Sequence, residues 1–341
     1  MSEIILQPSG QRVEAKPGET VLAALERAGY ALDNNCRAGA CGECKTKVLC
    51  GEFDQGMVLS MALSSAEREA GFGLMCMATP LSEELEIDYG TEDALPKLFP
   101  PRLDVPYVVT DRIQRTPTIV ELRIRPTEGG PLRYWPGQYL TISPSDDPTA
   151  ERCYSIANAP RPDGEISLLI TRIEGGVTSG WIHEHAQVGS HLIASGPFGT
   201  FIGDPSTETP VVCLAAGSGL APILALTDAA LRRGFPHPVT LVFSARSADD
   251  MLAAGLFEWW SSVHPNFKSV VTYTGPEPTE GLKGRIPAVL GDIFTTLGGT
   301  SVFIAGSPEF VTDCEKAAKG LGARPDLIHT EGFTDQSVAA R

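Results

Sequence analysis

The sequence predicts a multidomain α+β chain of three successive modules. These are a small mixed unit around a cysteine loop, an antiparallel β-barrel, and an α/β unit with a parallel sheet. Three observations predict it. Four of the eight cysteines crowd between positions 36 and 50. Short alternating or β-branched runs, separated by Pro, Gly and Asp turns, fill residues 107–194. From Pro210 a continuous apolar run leads into a glycine turn and then a helical stretch. A length of 341 residues agrees, because domains run to roughly 100–200 residues.

The composition is that of a packed chain, with 42% hydrophobic and 20% charged residues. Lys and Arg number 27 against 42 Asp and Glu, a formal charge of −15. That charge opposes nucleic acid or an anionic membrane as a partner, since both are polyanions. The longest nearly apolar run, Val211 to Leu226, is broken by Gly217, Ser218, Gly219 and Pro222. It falls short of the roughly 18 apolar residues of a membrane span. The opening, MSEIILQPSGQRVE, lacks the basic start and apolar stretch of a signal peptide. The expectation is a cytoplasmic chain with no membrane segment.

Cys36, Cys41 and Cys44 follow the spacing C-x4-C-x2-C, and Cys76 comes after 31 intervening residues. That is the plant-type 2Fe–2S spacing. Between Cys36 and Cys41 every residue except Arg37 is Ala or Gly. Small residues let backbone N–H groups turn toward the sulfurs of an anionic cluster and tune its potential. The competing reading is structural zinc, which pairs its ligands as C-x2-C twice, unlike this loop. Cys50 lies outside the ligand spacing. Glu3–Gln7 reads as a strand, and Thr20 can cap a helix whose apolar face is Val21, Leu22, Ala24, Leu25 and Ala28. With these elements in place, residues 1–90 resemble a plant-type ferredoxin, which implies a β-grasp fold with Cys36, Cys41, Cys44 and Cys76 as cluster ligands.

Residues 91–103 carry three prolines and no periodicity and read as a linker. Strand-like runs follow at Tyr107–Ile113, Thr118–Ile124, Gln138–Ile142, Ile166–Ile173 and His191–Ala194. Two motifs sit among them. In Arg152-Cys153-Tyr154-Ser155, alternation puts Arg152 and Tyr154 on one face of a strand. Arg152 offers a planar fork for a phosphate, Tyr154 a face for a planar ring, and Ser155 a small polar group for a ring nitrogen. In Gly175-Gly176-Val177-Thr178-Ser179, a glycine turn leads into a helix whose first N–H groups suit a pyrophosphate. These motifs, with Pro136-Gly137-Gln138-Tyr139 and Gly196-Pro197-Phe198-Gly199, resemble the flavin barrel of the ferredoxin–NADP reductase superfamily. The resemblance implies FAD held by Arg152, Tyr154, Ser155, Gly176, Val177, Thr178 and Ser179. Cys153 reads as barrel core.

In the last third, Gly217-Ser218-Gly219-Leu220-Ala221-Pro222 joins a buried strand to a helix through about Arg233. Further strands are expected at Val239–Phe243, Lys268–Thr274 and Ser301–Ile304. This strand–helix alternation predicts a parallel sheet. The turn lacks the last glycine of G-x-G-x-x-G. The unit nevertheless resembles the nicotinamide half of the same superfamily, together with Ser244-Ala245-Arg246 and Ala305-Gly306-Ser307-Pro308-Glu309. The resemblance implies that Gly217, Ser218, Gly219, Pro222, Arg246, Ala305, Gly306 and Ser307 hold the nicotinamide cofactor. Ala305 stands where the family often has Cys. Asp249 and Asp250 follow Arg246, which favours NADH over a cofactor with a 2′-phosphate. Phe333 is the expected shield of the flavin ring, and Glu331 is a second candidate near it.

The three modules in this order resemble the reductase components of multicomponent bacterial oxygenases, those of aromatic-ring dioxygenases and soluble di-iron monooxygenases. That implies NADH, FAD and a 2Fe–2S cluster in series, with a terminal oxygenase or a separate electron carrier as partner, in aromatic hydrocarbon catabolism. No side chain need act as nucleophile or general base. The expected boundaries are 1–92 for the ferredoxin module, 93–103 for the linker, 104–205 for the FAD barrel and 206–333 for the NAD module, with a tail at 334–341. Residues 1–95 hold 16 acidic and 7 basic side chains, a net −9, which suits docking on a basic partner surface. Two alternatives remain open. One is a reductase of a non-oxygenase pathway such as deoxysugar synthesis, and the other is a binding module with zinc in the cysteine loop.

Overall fold

The computed structural model describes residues 2–204, 206–276 and 281–333. It divides into two compact units. One is the chain up to Leu103 with Ser195–Thr200, and the other is Asp104–Ala194 with Phe201–Phe333.

The first unit contains β1 (Ser2–Gln7), β2 (Gln11–Ala15), α1 (Val21–Arg27), β3 (Lys45–Cys50), β4 (Phe53–Asp54), α2 (Ser65–Glu69), β5 (Phe72–Leu74), β6 (Thr79–Pro80) and β7 (Glu84–Asp88). Its main sheet has the order β2-β1-β7-β3-β5, with β1 and β7 parallel. This is the expected β-grasp arrangement. α1 starts where expected, because the Thr20 hydroxyl accepts the Ala23 N–H at 3.3 Å. Val21, Leu22, Ala24 and Leu25 turn inward onto Ile4, Leu6, Leu85 and Ile87, all essentially inaccessible to water. Each such side chain contributes about 1.5–3 kcal/mol on burial.

The barrel is built from β8 (Arg102–Gln114), β9 (Ile119–Pro126), β10 (Tyr139–Pro144), β11 (Arg152–Ser155), β12 (Ile166–Thr171) and β13 (His191–Phe198), with α3 (Val177–Glu184) between β12 and β13. The strand order is β11-β10-β13-β8-β9-β12. A bridge from Ile156 to Leu168 joins the two edges, so the sheet nearly closes. The last two residues of the expected linker, Arg102 and Leu103, already belong to β8, and Pro100 and Pro101 mark its start. Prolines suit that position because they have no N–H to give a ladder.

The last module comprises β14 (Val211–Ala216), α4 (Leu220–Arg232), β15 (Val239–Ala245), α5 (Ala254–Val263), β16 (Phe267–Tyr273), β17 (Leu282–Lys283), α6 (Ile286–Ile293), β18 (Ser301–Gly306), α7 (Pro308–Gly320) and β19 (Ile328–Gly332). The order is β17-β16-β15-β14-β18-β19, and every pair is parallel. β18 is buried throughout, as expected of a strand covered on both faces. β19 is not among the strands expected for this module, because Ile328–Gly332 carries no apolar alternation. The expected frayed segment 334–341 lies outside the described residues.

The turn after β14 is a single 3-10 turn over Gly217–Gly219. A Cβ on Gly219 would lie 2.3 Å from the Ala305 carbonyl oxygen. Gly217 needs its glycine differently, because its φ is +55° while the space around it is open. Gly219→Ala is therefore expected to destabilise the module by about 3 kcal/mol through backbone displacement. Gly217→Ala should cost only about 1 kcal/mol through left-handed strain. Urea unfolding of the two variants measures both, and equal losses would contradict the close-packing account.

Candidate functional site

Cys36, Cys44 and Cys76 are buried, Cys41 is partly covered, and Cys50, at the end of β3, is exposed. Cys36 Sγ accepts the backbone N–H groups of Ala38 at 3.5 Å, Ala40 at 3.4 Å and Cys41 at 3.3 Å. Cys44 Sγ accepts the Cys76 N–H at 3.4 Å. The Cys41 thiol and these N–H groups hold the Cys36 thiol below the usual range, while the same pairing and burial push Cys41 up. Cys44 and Cys76 form a second such pair, Cys44 lowered and Cys76 raised. Among the described residues no three His, Cys, Asp or Glu side chains surround one metal-ion position. Four thiols in two pairs, with N–H groups aimed at sulfur, fit a two-iron cluster better than one zinc ion.

Two further features hold this loop. Gly39 has φ +67°, and a Cβ there would lie 2.9 Å from the Met57 carbonyl oxygen. The Arg37 guanidinium pairs at 2.6 Å with Glu26, whose side chain is 3% exposed. Burial pushes the Glu26 carboxyl up, and Arg37 opposes that shift. Breaking such a buried pair from one side typically costs about 3–5 kcal/mol. Nothing in the local pattern pointed to this pair, because Glu26 lies on α1 and reads as an ordinary helix-surface residue.

On the barrel, Arg152 turns one guanidinium nitrogen back to the Glu151 carbonyl at 2.7 Å, and Tyr154 packs against the barrel core. The Thr178 hydroxyl donates to the Ala150 carbonyl, and Ser179 Oγ accepts the Ile173 N–H at 3.2 Å. Both side chains are buried. At this turn the hydroxyls therefore fasten the protein to itself. What Gly176, Val177, Thr178 and Ser179 can offer an anion is the backbone start of α3.

Ser155 does more than expected. Its hydroxyl donates to Glu331 Oε2 at 3.1 Å. Glu331 sits on β19, opposite Ala305 of β18. It is 7% exposed, and burial pushes its carboxyl up to about 8, opposed by the Ser155 hydrogen bond. The next residue but one, Phe333, gives its N–H to the Gly306 carbonyl at 2.8 Å. Sequence reasoning ranked Phe333 above Glu331, yet Glu331 is the residue brought onto Ser155.

The expected nicotinamide residues converge in part. Gly219 lies against Ala305 and Gly306, and the Ser218 hydroxyl accepts that of Thr171 from β12 at 2.9 Å. Pro222 is buried in the first turn of α4. Ser307 caps α7 by accepting the Phe310 N–H at 3.3 Å. Arg246 is exposed and pairs with Asp250 at 3.2 Å.

A cluster loop, a flavin-type barrel and a nicotinamide-type sheet define a nicotinamide-dependent iron–sulfur flavoprotein oxidoreductase. Comparison with known proteins agrees. Residues 4–81 match the 2Fe–2S iron-sulfur cluster binding domain, residues 108–202 the oxidoreductase FAD-binding domain, and residues 213–316 the oxidoreductase NAD-binding domain. The chain is 34% identical to the reductase subunit of an aromatic O-demethylase from Amycolatopsis sp., over 96% of this chain and 98% of that one. It is 32% identical to the reductase component of phenol 2-monooxygenase from Pseudomonas sp., over 90% of this chain and 87% of that one. The crystal structure of an Amycolatopsis cytochrome P450 reductase superposes with a TM-score of 0.89 at 31% identity, covering 99% of this chain and 100% of that one. The chain belongs to the family of reductase components of oxygenase systems. No helix among the described residues is long and apolar enough to cross a membrane.

The Glu331 shift has a definite sign. A carboxyl raised in the folded state stabilises most at low pH, and that contribution fades as pH rises from about 4.5 toward 8. Glu331→Gln is thus expected to match the parent in melting temperature near pH 4.5 and to gain on it progressively up to pH 8. A constant offset across that range would contradict the buried-proton assignment.

Proposed function

We propose that this chain takes a hydride from NADH and passes the electrons one at a time to a terminal oxygenase, or to a carrier serving one, in the catabolism of aromatic compounds. The observation that carries the reading is the Ser155–Glu331 hydrogen bond at 3.1 Å, which joins the barrel's Arg-x-Tyr-Ser strand to the nicotinamide-type sheet. FAD, when bound, supplies the conversion of a two-electron hydride into single electrons.

The remaining roles belong to the chain. Arg152 and the backbone start of α3 balance the FAD phosphates. Ser155 and Glu331 fix the ring edge, and Glu331 keeps a proton there at neutral pH. Gly217–Gly219 with Ala305, Gly306 and Ser307 receives the nicotinamide cofactor. Pro222 sets the first turn of α4, which starts at that turn. Arg246 faces the adenosine end; its pairing with Asp250 supports NADH, because a 2′-phosphate would meet that carboxylate. Cys36, Cys41, Cys44 and Cys76 would hold the 2Fe–2S cluster, which would accept one electron at a time. The boundaries 1–92, 104–205 and 206–333 describe the three modules. The net −9 of residues 1–95 supports a basic docking surface on the acceptor. The relatives are named as reductase components of an aromatic O-demethylase and of a phenol 2-monooxygenase, which supports an aromatic compound as the final substrate.

The test separates the two redox levels. In Cys76→Ala, NADH-dependent reduction of ferricyanide, an acceptor able to drain the flavin, should stay within about twofold of the parent. Reduction of cytochrome c through the cluster should fall at least tenfold, with iron and acid-labile sulfide lost together. Zinc in the parent protein, or full cytochrome c reduction by the variant, would overturn the reading.

A further inference from the structure

Arg37, the residue after Cys36, is held in three ways. Its backbone has φ +54°, a left-handed conformation uncommon for a residue with a long side chain. Among the described residues only Asp104 and Ala253 share that region without being glycine. Its guanidinium pairs at 2.6 Å with the buried Glu26 carboxylate. The guanidinium carbon also stands 3.9 Å from the centre of the Phe198 ring, over its face. Phe198 is 4% exposed, so this cation–π contact is shielded from water, which strengthens it. Two residues beyond Phe198, the Thr200 hydroxyl donates to Asp33 Oδ1 at 2.7 Å.

Phe198 is the last residue of β13. With the rest of Ser195–Thr200 it belongs to the same compact unit as the cysteine loop. β13 itself is a strand of the barrel sheet, where β10 alone separates it from β11, the strand proposed for the flavin. One strand therefore runs beside the flavin residues and ends under the residue that follows the first cysteine. Backbone strain of this kind persists where the surroundings over-determine it, and it concentrates at functional sites. Pairing with Glu26 already neutralises that buried carboxylate. The stack on Phe198 adds something else, a fixed contact between the cysteine loop and the end of β13.

Electron transfer between two centres falls exponentially with their separation. A loop that shifts or fluctuates would slow it, as misplacement slows any reaction that needs fixed geometry. We propose that Arg37 is a positioning residue, whose stack on Phe198 latches the cysteine loop to the end of β13 for one-electron transfer from flavin to cluster. In that step the reduced flavin loses one electron and the cluster gains it. Arg37 carries no electron itself. The inference rests on the electron path proposed above.

The test uses the holoprotein and Phe198→Leu, which keeps an apolar side chain, removes the ring face and leaves every charge beside the loop in place. After anaerobic mixing with NADH, the flavin-to-cluster step should slow about tenfold in the variant, while reduction of the flavin stays within about twofold. Oxidation of the dithionite-reduced cluster by cytochrome c should also stay within about twofold, a step that a damaged loop would slow. Hydrogen exchange of the peptide spanning residues 33–44, followed by mass spectrometry, should quicken about threefold in the variant. Thr200→Val, which removes only the bond to Asp33, should slow the flavin-to-cluster step about twofold and keeps the proposal testable if Phe198→Leu does not fold. An unchanged flavin-to-cluster rate in these variants would overturn the proposal. So would equal slowing of both cluster steps with loss of iron and acid-labile sulfide, which marks a structural role. Failure of NADH to reduce the cluster in the parent would instead overturn the electron path on which the proposal rests.

Discussion

The arrangement of the residues proposed for the nucleotide and the flavin depends on one close approach, that of Gly219 to the Ala305 carbonyl. It sets the height of the glycine turn against β18. β18 in turn sets β19, because Ala305 is in register with Glu331 and Gly306 with Gly332. One level of the sheet therefore carries both the nucleotide turn and the carboxyl that reaches Ser155. A side chain at position 219 would displace backbone, and backbone cannot rotate out of the way as a flexible side chain can. The contact between Ser218 and Thr171 fastens the same turn to the barrel. Hydride transfer needs two bound rings in register, and a turn fixed through its backbone suits that need.

The cluster loop answers a different problem with similar means. Four thiols must approach one another although their ionised forms repel. The backbone N–H groups at Ala38, Ala40 and Cys41 offset that repulsion at Cys36. The loop can bend that way because Gly39 sits where a Cβ would strike Met57. Arg37 adds positive charge beside the cluster position and is itself held by the buried Glu26 carboxylate. Charge is thus balanced locally at Arg37, while residues 1–95 as a whole carry a net −9.

Much of this was legible in the sequence because the signals are local. Cys36, Cys41 and Cys44 lie within nine residues, and Thr20 and its helix are contiguous. Arg152 to Ser155 form one short strand, and β14 announces itself as a continuous apolar run. The parts that were not legible depend on partners far along the chain. β19 reads Ile328-His329-Thr330-Glu331-Gly332, with one large apolar residue and no alternation, so only its pairing with β18 makes it a strand. Glu331 acquires its raised pKa from burial against Ser155, 176 residues away. The backbone N–H groups at the start of α3 were legible as an anion site, but the bonds of the Thr178 and Ser179 hydroxyls to Ala150 and Ile173 depend on partners outside the motif.

On the function proposed, electrons enter at the flavin and leave through the cysteine loop. The most direct test is anaerobic rapid mixing of the holoprotein with NADH, with flavin and iron–sulfur absorbance resolved in time, beside the same protein stripped of FAD. Flavin absorbance should fall first and cluster absorbance should follow, and the stripped protein should show no change in its cluster bands. Cluster bleaching by NADH at an unchanged rate without FAD would contradict it.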